Sequence, residues 1–418
     1  MEVHGELWTL KEFFVYPNEY IYWSLQIVMY PFMTGLVAGA FVLSSLYHVF
    51  GRKELKDMAR FSLTFSYALL LAAPMPLLFH LQKPLRGFNV FFTPHFTSAI
   101  AAFGIVFFLY ASIVASEIWF VNRKFFVESA INFRNAEGLG NRIKGFVYRV
   151  WTLGAYDISE ESLKKDERAV KILAGIGIPA ACFLHGYAGF IFGSVKANAL
   201  WMTPLMPVIF IMSAIVSGIA LCMLTYIIIM QIRKVVILRK RKPWMTSAEE
   251  VRSVEIDAIK MTSKYLIFFM VMAITLELLD LVFRGYTALK HWDILRVVIY
   301  SRDFFNIFII QYGIGTILPL IIFLMPRLTI RRATIGLFLV LVGVFMMRWN
   351  VVIGGQAFSL TFSGYMDYIL PVIPYNYDTF KEGVGGALLI LFMPFFFLWI
   401  LNKLIPVVDS TNRVIENK

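Results

Sequence analysis

Two carboxylates three residues apart, Glu277 and Asp280, stand inside an apolar run, with Arg284 one turn further on. Residues three and four apart share a helix face, so this group has the spacing to form an ion pair or to hold a proton. Leu184-His-Gly-Tyr187 sets an imidazole and a phenol inside a second apolar run. Arg348-Trp-Asn-Val-Val-Ile-Gly-Gly-Gln356 closes a third with a guanidinium and two carboxamides, Asn350 and Gln356. Asn18, Glu19 and Tyr22 open the first apolar run of the chain and His80 closes the next. Donors of these kinds in an otherwise apolar cleft are what the carbonyls of a flat ring such as a quinone require. Oxidation of a quinol releases two electrons and two protons, and His185, Glu277 or Asp280 is expected to accept the protons. Gly186 and Gly189 are expected to leave room for the ring. The blander readings stay open beside these. Glu277 and Asp280 have a structural ion pair with Arg284 or Arg348 as their alternative, and His185 a bond to a carbonyl one turn away.

These residues need elements to position them, and composition says which. The chain has 418 residues, 59% hydrophobic and 16% charged, far more apolar surface than a soluble globule hides. It is expected to be an all-α polytopic membrane protein, a single integral membrane domain over 1–418. A spanning helix takes about 20 apolar residues. On that length the spans fall at about 19–50, 61–80, 98–121, 172–193, 203–230, 261–283, 303–325, 333–347 and 384–406. Pro74-Met-Pro76 should kink or end the second span, and Gly35-x-x-x-Gly39 lets the first approach a neighbour closely. Spans four and five form a hairpin, with Trp201 at its bend read as an interfacial aromatic. The polar segment 357–382 leaves the count between eight and ten. The first helical bundle and the hairpin cover 19–230, the second bundle and the last span 261–406, and 122–170 and 231–260 are connections. The first connection is expected to be a loop with amphipathic surface helices.

The net charge of +12 would suggest nucleic acid in a soluble chain. Here the basic residues cluster between spans, which points to cytoplasmic loops beside membrane lipid and excludes a nucleic-acid partner. Connections after spans one, three, five and seven hold well over half of the 39 Lys and Arg. The positive-inside rule then places the N-terminus outside. On that orientation the ends bearing His80, His185, Glu277, Asp280 and Arg348 fall in the outer third. Glu117 falls toward the inner face with His48, as a packing carboxylate or as part of an inward proton route. Residues 1–18 carry Glu2, Glu6, Lys11 and Glu12 rather than a basic start, so the first span is expected to direct insertion itself. The only cysteines, Cys182 and Cys222, lie inside apolar runs and give no disulfide framework, iron–sulfur spacing or haem-attachment motif. No metal site is expected, and any iron–sulfur chemistry belongs to another subunit.

The order and spacing of several motifs resemble one family. They are Tyr30-Pro-x-x-x-Gly35-x-x-x-Gly39, Pro84-Leu-Arg86 with Phe92-Thr-Pro-His-Phe-Thr-Ser98, Leu184-His-Gly-Tyr187, Trp201-Met-Thr-Pro204 and the Arg348 to Gln356 stretch. Together, from about residue 16 to 405, they resemble the NrfD-like, or polysulfide-reductase membrane-subunit, family. Within it they look most like the long branch of uptake-hydrogenase and sulfate-reducer membrane subunits. The resemblance implies two four-helix bundles plus extra C-terminal helices in the cytoplasmic membrane of a prokaryote. It implies a chain without haem or iron–sulfur cluster of its own, exchanging electrons between menaquinone and a ferredoxin-like iron–sulfur subunit, with a multihaem cytochrome or catalytic subunit beyond. The family's quinone site, near the outer face, matches Asn18 and Glu19 on span one and His185 with Tyr187 on span four. Arg348 to Gln356 matches the long branch's motif. His80 departs from the pattern, because many members carry an acidic residue there.

Two further readings come from other classes. In one, His80 and His185 lie at one level and ligate a haem b, which needs paired ligands on facing helices. In the other, Glu277 and Asp280 couple ions in a secondary transporter, a class marked by inverted repeats and paired broken helices.

Overall fold

The structure, a computed structural model, describes residues 20–405 apart from 96, 99, 135–137, 196–197, 199, 241–255, 287–291 and 359–364. Asn18 and Glu19 lie outside the described residues. Among the described residues nine helices are long and apolar enough to cross a membrane, so the chain is a multi-pass membrane protein. They are α1 (Leu25–His48), α2 (Lys56–Ala72, resuming as Met75–His80), α3 (Ala101–Asn132), α4 (Glu160–Gly193) and α5 (Met206–Lys240). After these come α6 (Ile256–Tyr286), α7 (Phe305–Leu324), α8 (Ile330–Val352) and α9 (Val384–Leu404).

Local chemistry sets the ends. Ser24 caps α1, its hydroxyl accepting from the Gln26 amide, and Thr329 caps α8 in the same way through Arg332. The break in α2 falls at Pro74, where the chain reaches the two prolines that cannot donate. Two spans differ from expectation by overrunning the apolar stretch. α3 continues to Asn132 and α4 begins at Glu160. The 122–170 connection is therefore largely helix, including a separate amphipathic helix, Leu139–Trp151. Ser159 caps α4, and Glu160 and Glu161 in its first turn suit the positive end of the helix dipole. Span seven is not uniform either: Phe305–Ile317 is wound with i to i+5 hydrogen bonds before ordinary α-helix resumes at Leu318.

Almost every residue of α1 is buried, and so is most of α5, and these two form the centre. Their crossing rests on Gly39 and Gly218, where a Cβ on Gly39 would lie 2.7 Å from the Gly218 Cα. Small residues allow the backbones this approach. α5 also packs on α4 and, across the molecule, on α6 and α8; α3 packs on α4, α7 on α8, and α9 on α2.

Segment 357–382 is a cap, not a tenth span, in its described residues. Phe358 pairs with Tyr365, Ile21 donates its amide to the Asp367 carbonyl at 2.9 Å, and a short helix, Tyr377–Glu382, is capped by Asn376 and Thr379. Trp201 is buried in the protein at the hairpin bend. Its indole nitrogen donates to the Val351 carbonyl at 2.6 Å, and its ring stacks on Trp23, so the hairpin bend is clamped to the end of α8.

Candidate functional site

His185 is fully buried where α4 meets α1, α5 and α8. A ring so placed needs a partner for each nitrogen, and both are supplied. Arg348 Nη2 lies 3.0 Å from its Nε2, and Thr34 Oγ1 lies 3.3 Å from its Nδ1. A guanidinium only donates, so Nε2 must be the acceptor and Nδ1 carries the hydrogen. Thr34 takes that hydrogen and passes its own to the Tyr30 carbonyl at 3.1 Å. Arg348 is equally buried. Its Nη2 also donates to Ser213 Oγ at 2.6 Å and the Phe210 carbonyl at 3.3 Å, and its guanidinium lies 3.9 Å over the Phe210 ring. Such a cation–π contact is worth about 2 kcal/mol when desolvated.

A second polar group stands on the other side of α8. Asn350 donates to Gln311 Oε1 at 2.7 Å, and Gln311 donates onward to Glu277 Oε2 at 2.8 Å. Arg348 and Asn350 are two apart, about 200° around the helix, which is why one faces His185 and the other Glu277. A cavity of about 30 Å³, room for about one water, is lined by Ser213, Glu277 and Gln311. Ser213 thus touches Arg348 and borders the cavity that Glu277 faces.

The other expected residues divide. Asp280 does not join Glu277: its Oδ1 accepts from Thr203 at 2.6 Å and its Oδ2 from Arg284 at 2.8 Å. Arg284 in turn holds the Leu200 carbonyl, so this pair ties α6 to the hairpin bend. Tyr187 turns away from His185, its ring near Phe103, Phe183 and Phe190. Tyr22 is 80% exposed, and Gln356 bonds back to the Val352 carbonyl. Gly186 and Gly189 leave no slot for a ring. A Cβ on Gly189 would lie 2.8 Å from the Pro207 Cα and one on Gly186 2.9 Å from Ile211, so the space is filled by α5. At the opposite helix ends His48 Nδ1 and Glu117 Oε1 meet at 3.0 Å.

His80 and His185 are not at one level. His80 contacts Ser24 at the start of α1, and His185 contacts Thr34 ten residues on, about 15 Å further along the axis. Among the described residues no three His, Cys, Asp or Glu side chains gather as a metal-ligand set.

Sequence reasoning passed over Tyr30, Thr34, Ser213 and Gln311 as functional residues. Tyr30 and Thr34 are four apart on one helix face, which was visible. The Tyr30 hydroxyl is buried and has no protein partner among the described residues. Its ring lies 5.6 Å from Phe103, which in turn neighbours Tyr187.

Residues 16–360 match the family described as polysulphide reductase, NrfD. The chain belongs to this family. The NrfD match takes in α1 to α8 and every member of the two polar groups. One curated relative is the C subunit of the selenate reductase of Mesobacillus selenatarsenatis, 33% identical over 212 residues, which are 50% of this chain and 49% of that protein. Another is a putative dimethyl sulfoxide reductase membrane subunit of Halobacterium salinarum, 26% identical over 209 residues, 49% of this chain and 43% of that protein. The chain thus matches about half the length of these relatives.

Proposed function

We propose that the chain is the quinone-reactive membrane subunit of a reductase complex, exchanging electrons between menaquinol or menaquinone and an iron–sulfur partner subunit. Membership of the NrfD family supports this reading, as do relatives whose names mark them as subunits of reductases. The observation that carries it is the Tyr30 hydroxyl, buried without a protein partner one turn above Thr34 and the His185–Arg348 contact. A buried hydroxyl without a partner is costly, and the carbonyl of a ring seated between α1, α3 and α4 would satisfy it. Phe103 and Tyr187 flank that position.

In this reading a quinol gives two electrons to the partner's clusters and releases two protons, one taken up by the chain and one leaving toward the outer face. Tyr30 offers its hydroxyl to a ring oxygen, and Thr34 holds the Nδ1 hydrogen of His185 beside it. His185 is held in one tautomer by Arg348, and Glu277, beyond Ser213 and the small cavity, is the carboxylate that takes a proton. Asn350 and Gln311 orient Glu277; Asp280 ties helices together. Glu117 with His48 is the far end of any inward route. Asn18 and Glu19 stay candidates for the same site. The proposed setting is the cytoplasmic membrane of a prokaryote with the N-terminus outside. The complex is completed by a multihaem cytochrome or catalytic subunit.

Steady-state oxidation of a menaquinol analogue by the purified complex tests the reading. His185→Ala and Tyr30→Phe should each slow turnover roughly 10- to 100-fold while the partner subunits stay bound, the loss expected for one or two buried hydrogen bonds. Wild-type rates in both variants would overturn it.

A further inference from the structure

The His48 ends of the helices carry a second concave feature that the candidate site does not use. α3 has 32 residues and α4 has 34, so each is roughly 50 Å long against a hydrocarbon core of about 30 Å. Their overhanging turns, with the turn after α1, enclose a cavity of about 820 Å³. Its cations are Lys53, Lys56, Arg60, Lys124 and Lys171, beside His48. Its carboxylates are Glu128, Asp166 and Glu167, and Asp166 is already held by Arg123 at 2.7 Å. The cations therefore outnumber the acids. Phe120, Phe125 and Val170 make part of its wall apolar.

An independent element fixes the level of this cavity. The Leu139–Trp151 helix buries Gly145 and Tyr148 against Phe133 on the turn after α3. It exposes Leu139, Ile143, Phe146 and Val150, at 50% exposure or more, on one stripe. Arg142 and Arg149 border that stripe on one side, by helix geometry. An apolar stripe with a basic flank is the pattern of a helix lying in the headgroup layer. Phe125, on the cavity wall, also touches Tyr148 of this helix at 5.7 Å. Cavity and helix thus share a level.

We propose that this cavity binds the phosphate-bearing headgroup of an anionic phospholipid. Lys53, Lys124 and Lys171 take the phosphate charge, and the apolar wall takes the upper acyl chain. Phosphate as such would be recognised by the same cations; the level in the bilayer and the apolar wall favour the lipid.

Native mass spectrometry of the solubilised full chain tests this, with phosphatidylglycerol or phosphatidylcholine of matched chains added in separate titrations. The wild type should retain phosphatidylglycerol about tenfold more tightly, a difference of about 1.4 kcal/mol. Lys124→Gln/Lys171→Gln should lose that preference. Arg331→Gln/Arg332→Gln, which removes the same charge from the start of α8, should keep it. Equal retention of the two lipids by the wild type overturns the proposal without any variant, and so does a preference that survives Lys124→Gln/Lys171→Gln. Displacement of the bound lipid by millimolar inorganic phosphate overturns the lipid assignment in favour of a soluble anion.

Discussion

Arg348 and His185, 163 residues apart in sequence, meet in the buried core, Arg348 Nη2 donating to His185 Nε2 across 3.0 Å. The contact joins α8 to α4, and the remaining bonds of Arg348 join both to α5. Arg348→Ala leaves His185 Nε2 and Ser213 Oγ without the donor they share, while the Phe210 carbonyl keeps the Ser213 hydroxyl, at about 1–3 kcal/mol for an unsatisfied buried group. The Arg348→Ala/His185→Ala double variant should be less destabilised than the sum of the singles, as residues in one network are. Thermal unfolding of the four proteins in detergent checks this; strict additivity would show that the two do not interact.

Tyr30→Phe separates binding from folding. The hydroxyl has no protein partner to lose, so stability should stay the same or rise slightly. Quinol oxidation should fall all the same. A variant that unfolds early would mean that the hydroxyl has a structural bond, and the proposed ring position would go with it.

Asp280 should behave as a tie. Arg284 is only 2% exposed, and Asp280→Ala leaves that cation without its carboxylate, a loss of about 3–5 kcal/mol for a broken buried pair. Asp280→Ala/Arg284→Leu should recover most of it. The readout is the yield of monodisperse protein together with its unfolding temperature. If Asp280→Ala folds normally but stops turnover, Asp280 belongs with the proton acceptors instead.

Gly39→Val should cost more than about 3 kcal/mol, beyond the usual overpacking cost, because its Cβ would meet backbone of α5 at the Gly218 crossing. Gly175→Ala, with nothing within 4 Å of the added carbon, should fold like the parent and serves as the control. Expression of the two variants side by side is sufficient.

Much of this was legible in the sequence because apolar length and prolines act locally. The nine spans, the break at Pro74 and the close approach at Gly39 each follow from a few neighbouring residues. The overhangs of α3 and α4 did not, because a charged helix outside the bilayer has the composition of a loop. The site was half visible. His185, Arg348, Glu277 and Asn350 stood out as polar groups in apolar runs, but their sorting into two groups depends on which face of α8 each occupies. Gly186 and Gly189 show the limit of small residues as a signal. They open space, and only the neighbouring helix decides that α5 rather than a ligand fills it.

The proposed quinone ring sits beside Tyr30, Phe103 and Tyr187. The most direct measurement is photolabelling of the purified complex with an azido-naphthoquinone, followed by peptide mapping. Adducts are expected on α1 near Tyr30 and on α3 or α4 near Phe103 and Tyr187, suppressed by excess menaquinone. Labelling confined to other helices, or labelling that menaquinone does not suppress, would contradict that placement.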